Sequence, residues 1–112
     1  MAGFLGQARK GESAAMKAVW SRRAIGHLVA LSEYIGRDSE QNAALVAQRI
    51  LRSVDLLTKQ PEMGRPGRVP GTRELVVPDT PYVIPYRLRC GRLELIAVFH
   101  GRQRWPKKLY RF

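Results

Sequence analysis

The stretch YVIPYRLRCGRLELIAVFH, Tyr82–His100, decides the fold. Its first eight residues alternate, Tyr82, Ile84, Tyr86 and Leu88 against Val83, Pro85, Arg87 and Arg89, which is the period of two of a strand with unlike faces. Cys90-Gly91 then supplies a tight hairpin turn, and Arg92 to His100 returns as the next strand. Pro85 has no N–H to donate to a ladder, so it marks an edge or a bulge. Just upstream, Arg73–Val77 reads as another strand, separated from the first by the turn Pro78-Asp79-Thr80-Pro81. The C-terminal half is therefore a three-stranded antiparallel meander.

Toward the N-terminus the period changes. Residues 61–71, with three prolines and three glycines around two arginines, read as loop. Before them Ala43, Val46, Ala47, Ile50, Val54 and Leu57 recur at helical spacing, capped by Asp38 or Ser39, with Gln41 in capping-box register to Asp38, and stopped by Pro61. A first helix carries Ala24, Leu28, Leu31 and Ile35, with Ile25 and Val29 widening the stripe. Ser21 is placed to cap it, Trp20 to staple onto Ile25, and Gly36 to end it in a left-handed conformation. The short link makes an antiparallel helical hairpin. Leu45, Leu51 and Leu56 lie off the main face of the second helix, which is either buried on two sides or holds surface for a partner. Met16–Trp20 supplies an N-terminal strand. The expected architecture is α+β: a strand, the hairpin, then the meander, with both helices on one face and arginines on the other. Residues 16–106 form one domain, residues 1–15 an extension without apolar period, and residues 107–112 a tail.

Charge narrows the partners. Twenty Lys and Arg against nine Asp and Glu give +11 on 112 residues, and a pI near 10.9. Such a surface attracts nucleic acid, acidic protein or anionic lipid. One cysteine, Cys90, excludes an intrachain disulfide framework and a multi-cysteine zinc site, and neither His27 nor His100 has a metal-ligand companion at useful spacing. No apolar run approaches the roughly 20 residues that span a bilayer. No cofactor is expected, no membrane partner, and a cytoplasmic location.

Several pieces, weak singly, are specific in their order and spacing: Val19-Trp20-Ser21, Tyr34-Ile35, Pro61-Glu62-Met63-Gly64-Arg65, Pro70 to Leu75, Pro81 to Arg87, and Val98 to Pro106. On them the chain resembles the RelE/ParE superfamily of toxins from type II toxin–antitoxin systems, the ParE branch in particular. The resemblance implies the strand–hairpin–meander fold and a role in plasmid stabilisation. It also implies a cognate ParD-like antitoxin that wraps the toxin with a helix and an extended segment, making a hetero-oligomer. It implies one of two activities: ParE-like members poison DNA gyrase, and RelE-like members cut messenger RNA on the ribosome.

Residue chemistry bears on that choice. Metal-free RNA cleavage needs a base, an acid and cations on the phosphate. Residues 61–100 contain no lysine, and position 82, where several nuclease relatives show a basic residue, is Tyr82. His100 is the one side chain near the sheet that titrates near neutrality, so catalysis would fall to it, and only under the nuclease alternative; otherwise no catalytic residue is expected. His27 reads as a partly exposed helix residue. The expected target-binding set is Arg73, Arg87, His100, Arg102, Arg104 and Trp105, with Arg73, Arg87 and Arg102 clustered. The expected antitoxin-binding set is Leu45, Leu51, Leu56 and Arg87, met by an acidic amphipathic segment. A non-enzymatic gyrase poison leads, a ribosome-dependent endonuclease follows, and a small basic nucleic-acid-binding protein is third.

Overall fold

Two serines start the two helices. Ser21 and Ser39 both adopt extended backbone and accept a hydrogen bond from the third residue on, Ala24 N–H and Asn42 N–H, each at 3.0 Å. These bonds satisfy donors that a first helical turn leaves free. The structure is a computed structural model describing residues 15–106; the rest of the expected extension and the tail at 107–112 lie outside the described residues. Helix α1 spans Arg22–Gly36 and α2 spans Glu40–Lys59, so Ser39 rather than Asp38 is the cap of α2. Gly36 does not take the expected left-handed conformation: helical geometry continues through Arg37 (φ −60°, ψ −35°). The N–H groups of Asp38 and Ser39 both bond the Ile35 carbonyl, and extended Ser39 makes the corner instead.

Six strands form one sheet: β1 (Lys17–Trp20), β2 (Arg65–Pro66), β3 (Arg73–Val76), β4 (Tyr82–Arg89), β5 (Arg92–Leu95) and β6 (Phe99–His100). Their order is β1-β5-β4-β3-β2, with β6 also on β4; β1 runs parallel to β5 and every other pair is antiparallel. At the β4–β5 turn Cys90 (φ 52°) and Gly91 (φ 73°) are both left-handed, the geometry that matches strand twist in a two-residue hairpin. Strand β2 was not expected. It lies within the segment read as loop, and two residues are too few to show a period.

The return strand is not continuous from Arg92 to His100. Tyr86 pairs with Leu95 and Val83 pairs with Phe99. Between those pairs β4 has two residues, 84 and 85, while the opposing chain has three, 96 to 98. One extra residue is a β-bulge, and it lies opposite Pro85. Ile96 N–H donates to the Pro85 carbonyl at 2.9 Å, but Pro85 has no N–H to return. The Ser21 hydroxyl donates to the Ile96 carbonyl instead, at 2.7 Å, while its oxygen caps α1. On the far side of the bulge Val98 N–H donates to Nδ1 of His27 at 3.1 Å. The N-cap serine of the first helix and a histidine within it thus close bonds that the interrupted ladder leaves open.

The helices cover one face of the sheet. Leu75, Ile84, Tyr86, Leu93 and Leu95 meet Ile50, Val54 and Leu57 of α2, and Trp20, Leu28, Leu31 and Val46 pack half-buried against them. Ile25 and Val29 do not widen this core: both are about half exposed, because they lie about 100° further round α1 than Ala24 and Leu28. Trp20 therefore packs on the sheet core rather than serving as a staple to a buried Ile25.

Ser21→Ala removes a helix cap and strands a buried carbonyl together. The expected loss is about 2–4 kcal/mol, from about 0.5–2 for a cap and about 1–3 for an unsatisfied buried group, read by urea unfolding. A loss under about 1 kcal/mol would show that the Ile96 carbonyl finds another donor.

Candidate partner-binding surfaces

Helix α2 buries a single side. Leu45, Leu51 and Leu56 are 42 %, 50 % and 48 % exposed, so among the described residues the second apolar side stays uncovered. Ala44, Leu45, Gln48 and Leu51 line an open concavity there. Apolar side chains held out on a rigid helix are what a partner helix buries. The sequence-expected leucines are thus all at the surface, although Leu56 also lines a separate hollow with Arg49, Pro78 and Asp79.

The helix-free face of the sheet carries charge. Glu74, opposite Pro85, and Glu94, opposite Arg87, are each only 3 % exposed. Arg65 gives Glu74 two bonds, at 2.9 and 3.1 Å, and Arg68 reaches it with Nε at 3.0 Å and its backbone N–H at 2.9 Å. Burial alone would raise the Glu74 carboxyl, but the Arg68 and Arg65 bonds outweigh it and hold the group below the usual carboxylate range. Arg87 Nε lies 2.6 Å from Glu94, and Arg92 is 3.7 Å from the other oxygen. Four arginines are therefore clasped by two buried glutamates.

Arg73 is not part of that face, nor does it pair with Glu74. Its guanidinium donates to the carbonyls of Glu62 and Gly64, at 3.1 and 2.8 Å. The Tyr86 hydroxyl pins the same loop, donating to the Pro61 carbonyl at 2.7 Å and accepting from Gly64 N–H at 3.0 Å. Burial pushes the Tyr86 phenol up, so it remains a donor. A Cβ at Gly64 would collide with that phenol, so only glycine fits. Arg73 and Arg87 do share a groove with Pro66, Gly71, Thr72 and Leu88, but Arg102 lies beyond β6, and the expected three-arginine cluster does not form.

Beyond β6 the chain folds back. His100 Nδ1 accepts Arg102 N–H at 3.2 Å, and its backbone N–H donates to Gln103 Oε1 at 2.9 Å. The Arg102 and Arg104 residues are exposed. Trp105 is half-buried, its ring 4.8 Å from Phe99, with the Arg68 guanidinium stacked 3.5 Å above it. Its Nε1 is buried with no hydrogen-bond partner among the described residues, so packing and the cation–π contact hold it. His27, read as a partly exposed helix residue, is half-buried, with its ring 5.2 Å from that of Phe99. Burial and the Arg23 guanidinium push its pKa down, and accepting Val98 N–H requires an unprotonated Nδ1. No three His, Cys, Asp or Glu side chains gather as a metal would need among the described residues, and no helix there is long and apolar enough to cross a membrane.

The family model described as the ParE toxin of type II toxin-antitoxin system, parDE, matches residues 18–105. The chain belongs to this toxin family. It is 44 % identical over 90 residues to the candidate toxin Y4kP of Sinorhizobium fredii, covering 80 % of this chain and 93 % of that one. It is 37 % identical over 83 residues to toxin RelE2 of Caulobacter vibrioides, covering 74 % and 92 %. A solved chain of the chromosomal ParDE TA system from P. aeruginosa superposes with a TM-score of 0.70 at 26 % identity, covering 78 % and 97 %. The molecule is a toxin of a type II toxin–antitoxin system with an antitoxin partner, and its α+β fold is the one the motifs imply. In this ParE-family toxin the matched span ends on Trp105, the residue that closes the C-terminal packing.

Arg65, Arg68 and His27 escaped the sequence reading. The available signal was a lone strand glutamate, Glu74, beside an arginine-rich segment, since a carboxylate that the fold covers demands partners.

Glu74→Gln keeps the shape but loses the charge that gathers Arg65 and Arg68. Both arginines are half exposed and can rehydrate, so the expected cost at neutral pH is about 1–3 kcal/mol, measured by denaturant melts. His27 gives a separate pH signature. Its folded pKa lies below the ordinary 6.5, so the unfolded chain binds the proton first as pH falls. Its contribution is complete above about pH 6.5 and declines as pH drops from there through the folded value. The melting temperature should fall between pH 7 and 5.5 more steeply in the wild type than in His27→Gln. Parallel profiles would remove His27 as the cause.

Proposed function

We propose that this toxin binds DNA gyrase and traps its cleaved-DNA state, in the cytoplasm, and that a ParD-like antitoxin silences it. The observation that carries the reading is the way the sheet arginines are spent. Arg65, Arg68, Arg87 and Arg92 are engaged with two buried glutamates, and Arg73 with loop carbonyls. Side chains so committed are suited to holding a rigid surface. They are not poised to stabilise a migrating charge on a phosphate, as nuclease chemistry requires. Membership of the ParE branch supports the same reading. Exposed Arg102 and Arg104, on the segment that Trp105 anchors, are the charges offered to the target; His100 orders that segment through its two bonds.

The antitoxin's apolar side chains bury Leu45, Leu51 and Leu56, and its carboxylates meet the arginine-bearing face near Arg87. Steering by a +11 surface makes the association rate fall with salt more than the dissociation rate rises.

Purified toxin should inhibit gyrase supercoiling and accumulate cleaved DNA. Arg102→Ala with Arg104→Ala should weaken that effect at least about tenfold while keeping the melting temperature and most antitoxin affinity. This pair is a cleaner probe than truncation before Trp105, which also uncovers Phe99. Ribosome-programmed mRNA cutting without any effect on gyrase would replace the proposal with the RelE-like nuclease reading.

A further inference from the structure

A groove of about 320 Å³ lies between α1 and the β4–β6 edge, apart from the arginine-bearing face and the α2 leucines. Its walls are aromatic: His27 and Tyr34 from α1, Tyr82 from β4 and His100 from β6. Leu31 and Val98 supply the apolar lining. The Tyr82 and His100 rings meet edge to face, 5.8 Å apart at 79°. Its polar groups are nearly all donors. Each histidine accepts a backbone N–H at Nδ1, from Val98 and from Arg102, so the neutral ring carries its proton on Nε2. Gln103, also on the groove, has its Oε1 taken by His100 N–H, which leaves its amide N–H₂. The two tyrosine hydroxyls, which donate or accept, complete the set, and among the described residues no carboxylate lines the groove. Arg102 and Arg104 flank Gln103 on exposed chain.

This combination selects a ligand class. Aromatic walls favour a flat ring. Neutral donors favour ring nitrogens and carbonyl oxygens, and adjacent arginines favour an attached phosphate. The volume sits at the small end of ligand pockets. An acidic peptide fits less well, because a carboxylate in the groove would meet neutral donors rather than a cation. We propose that the groove binds the base of an unpaired nucleotide, stacked among Tyr34, Tyr82 and His100, with Arg102 and Arg104 on its phosphates. Aromatic stacking with a flanking positive charge is the general means of holding single strands. The proposal does not rest on the gyrase reading, since it concerns binding of nucleic acid by the free toxin.

The test uses a fluorescent single strand of about ten nucleotides, DNA and RNA in separate arms, against the same sequence as duplex. Tyr34 is 70 % exposed, so Tyr34→Ala keeps the fold. It should weaken single-strand binding about fivefold or more, the loss of one stacked base. Arg89→Ser is the control for charge alone, because Arg89 ends β4, seven residues from Tyr82 and so about 23 Å away. It should weaken binding less than Tyr34→Ala. A nucleoside monophosphate should also shift the ring-proton resonances of His27 and His100. Equal losses in the two variants, or preference for duplex, would reduce the binding to surface charge and overturn the proposal. Histidine shifts with N-acetyltryptophanamide but none with the nucleotide would overturn it in favour of a protein aromatic side chain.

Discussion

One missing hydrogen organises this molecule. Pro85 sits within a central strand, and the bond it cannot give to the Ile96 carbonyl comes from the Ser21 hydroxyl, 75 residues away in sequence. The same oxygen caps α1, and the Ser21 backbone N–H extends the β1–β5 ladder to Leu95 at 3.0 Å. A single buried serine thereby joins the edge strand, the first helix and the bulge. The extra residue in that bulge re-aims β6, so that Phe99 faces Trp105 and His100 lies against Tyr82. His27 fastens the other side of it. Placement of the C-terminal segment, where the exposed Arg102 and Arg104 lie, follows from how one proline is accommodated.

The basic charge has a second layer of organisation. Read as a total, +11 describes a surface that attracts any polyanion. In the fold, the arginines of the sheet are sorted by two glutamates that are themselves nearly inaccessible. Arg68 links the two structural themes, holding Glu74 with its Nε and lying over Trp105 with its plane. Arginine suits this double use because its guanidinium is both a fork of donors and a flat cation; lysine offers neither. This is a physical reason for arginine rather than lysine throughout residues 61–104.

These constraints separate the surfaces by chemistry. The outer side of the hairpin holds out leucines from an α2 whose opposite side is fixed in the core by Ile50, Val54 and Leu57, which suits a partner that brings its own helix. The helix-free face is charged and fixed. The groove beside α1 is aromatic and donor-rich. A toxin must be held by its antitoxin and still present a different surface to its target, and distinct chemistries on rigid elements allow the two to be recognised separately.

The sequence by itself determined the elements and the family. Period-two alternation at Tyr82–Arg89, helical stripes ending in Ile50, Val54 and Leu57, and serine caps are local patterns, and local backbone physics suffices to read them. So are the ordered motifs that place the chain among ParE-family toxins, and Pro85 announced a bulge or an edge. Tertiary structure alone decided the rest, because those outcomes depend on which distant groups meet. Only the folded chain shows Ser21 and His27 closing the bulge, splitting what alternation reads as one strand. Only there does Arg73 turn to loop carbonyls while Arg65 and Arg68, from a segment without period, take Glu74. Ile25 and Val29 look like core by spacing and are half exposed, since a helix lying on a sheet beside one neighbour buries a limited arc. Burial of a charge or a polar group is a property of the assembled layers, and no stretch of sequence states it on its own.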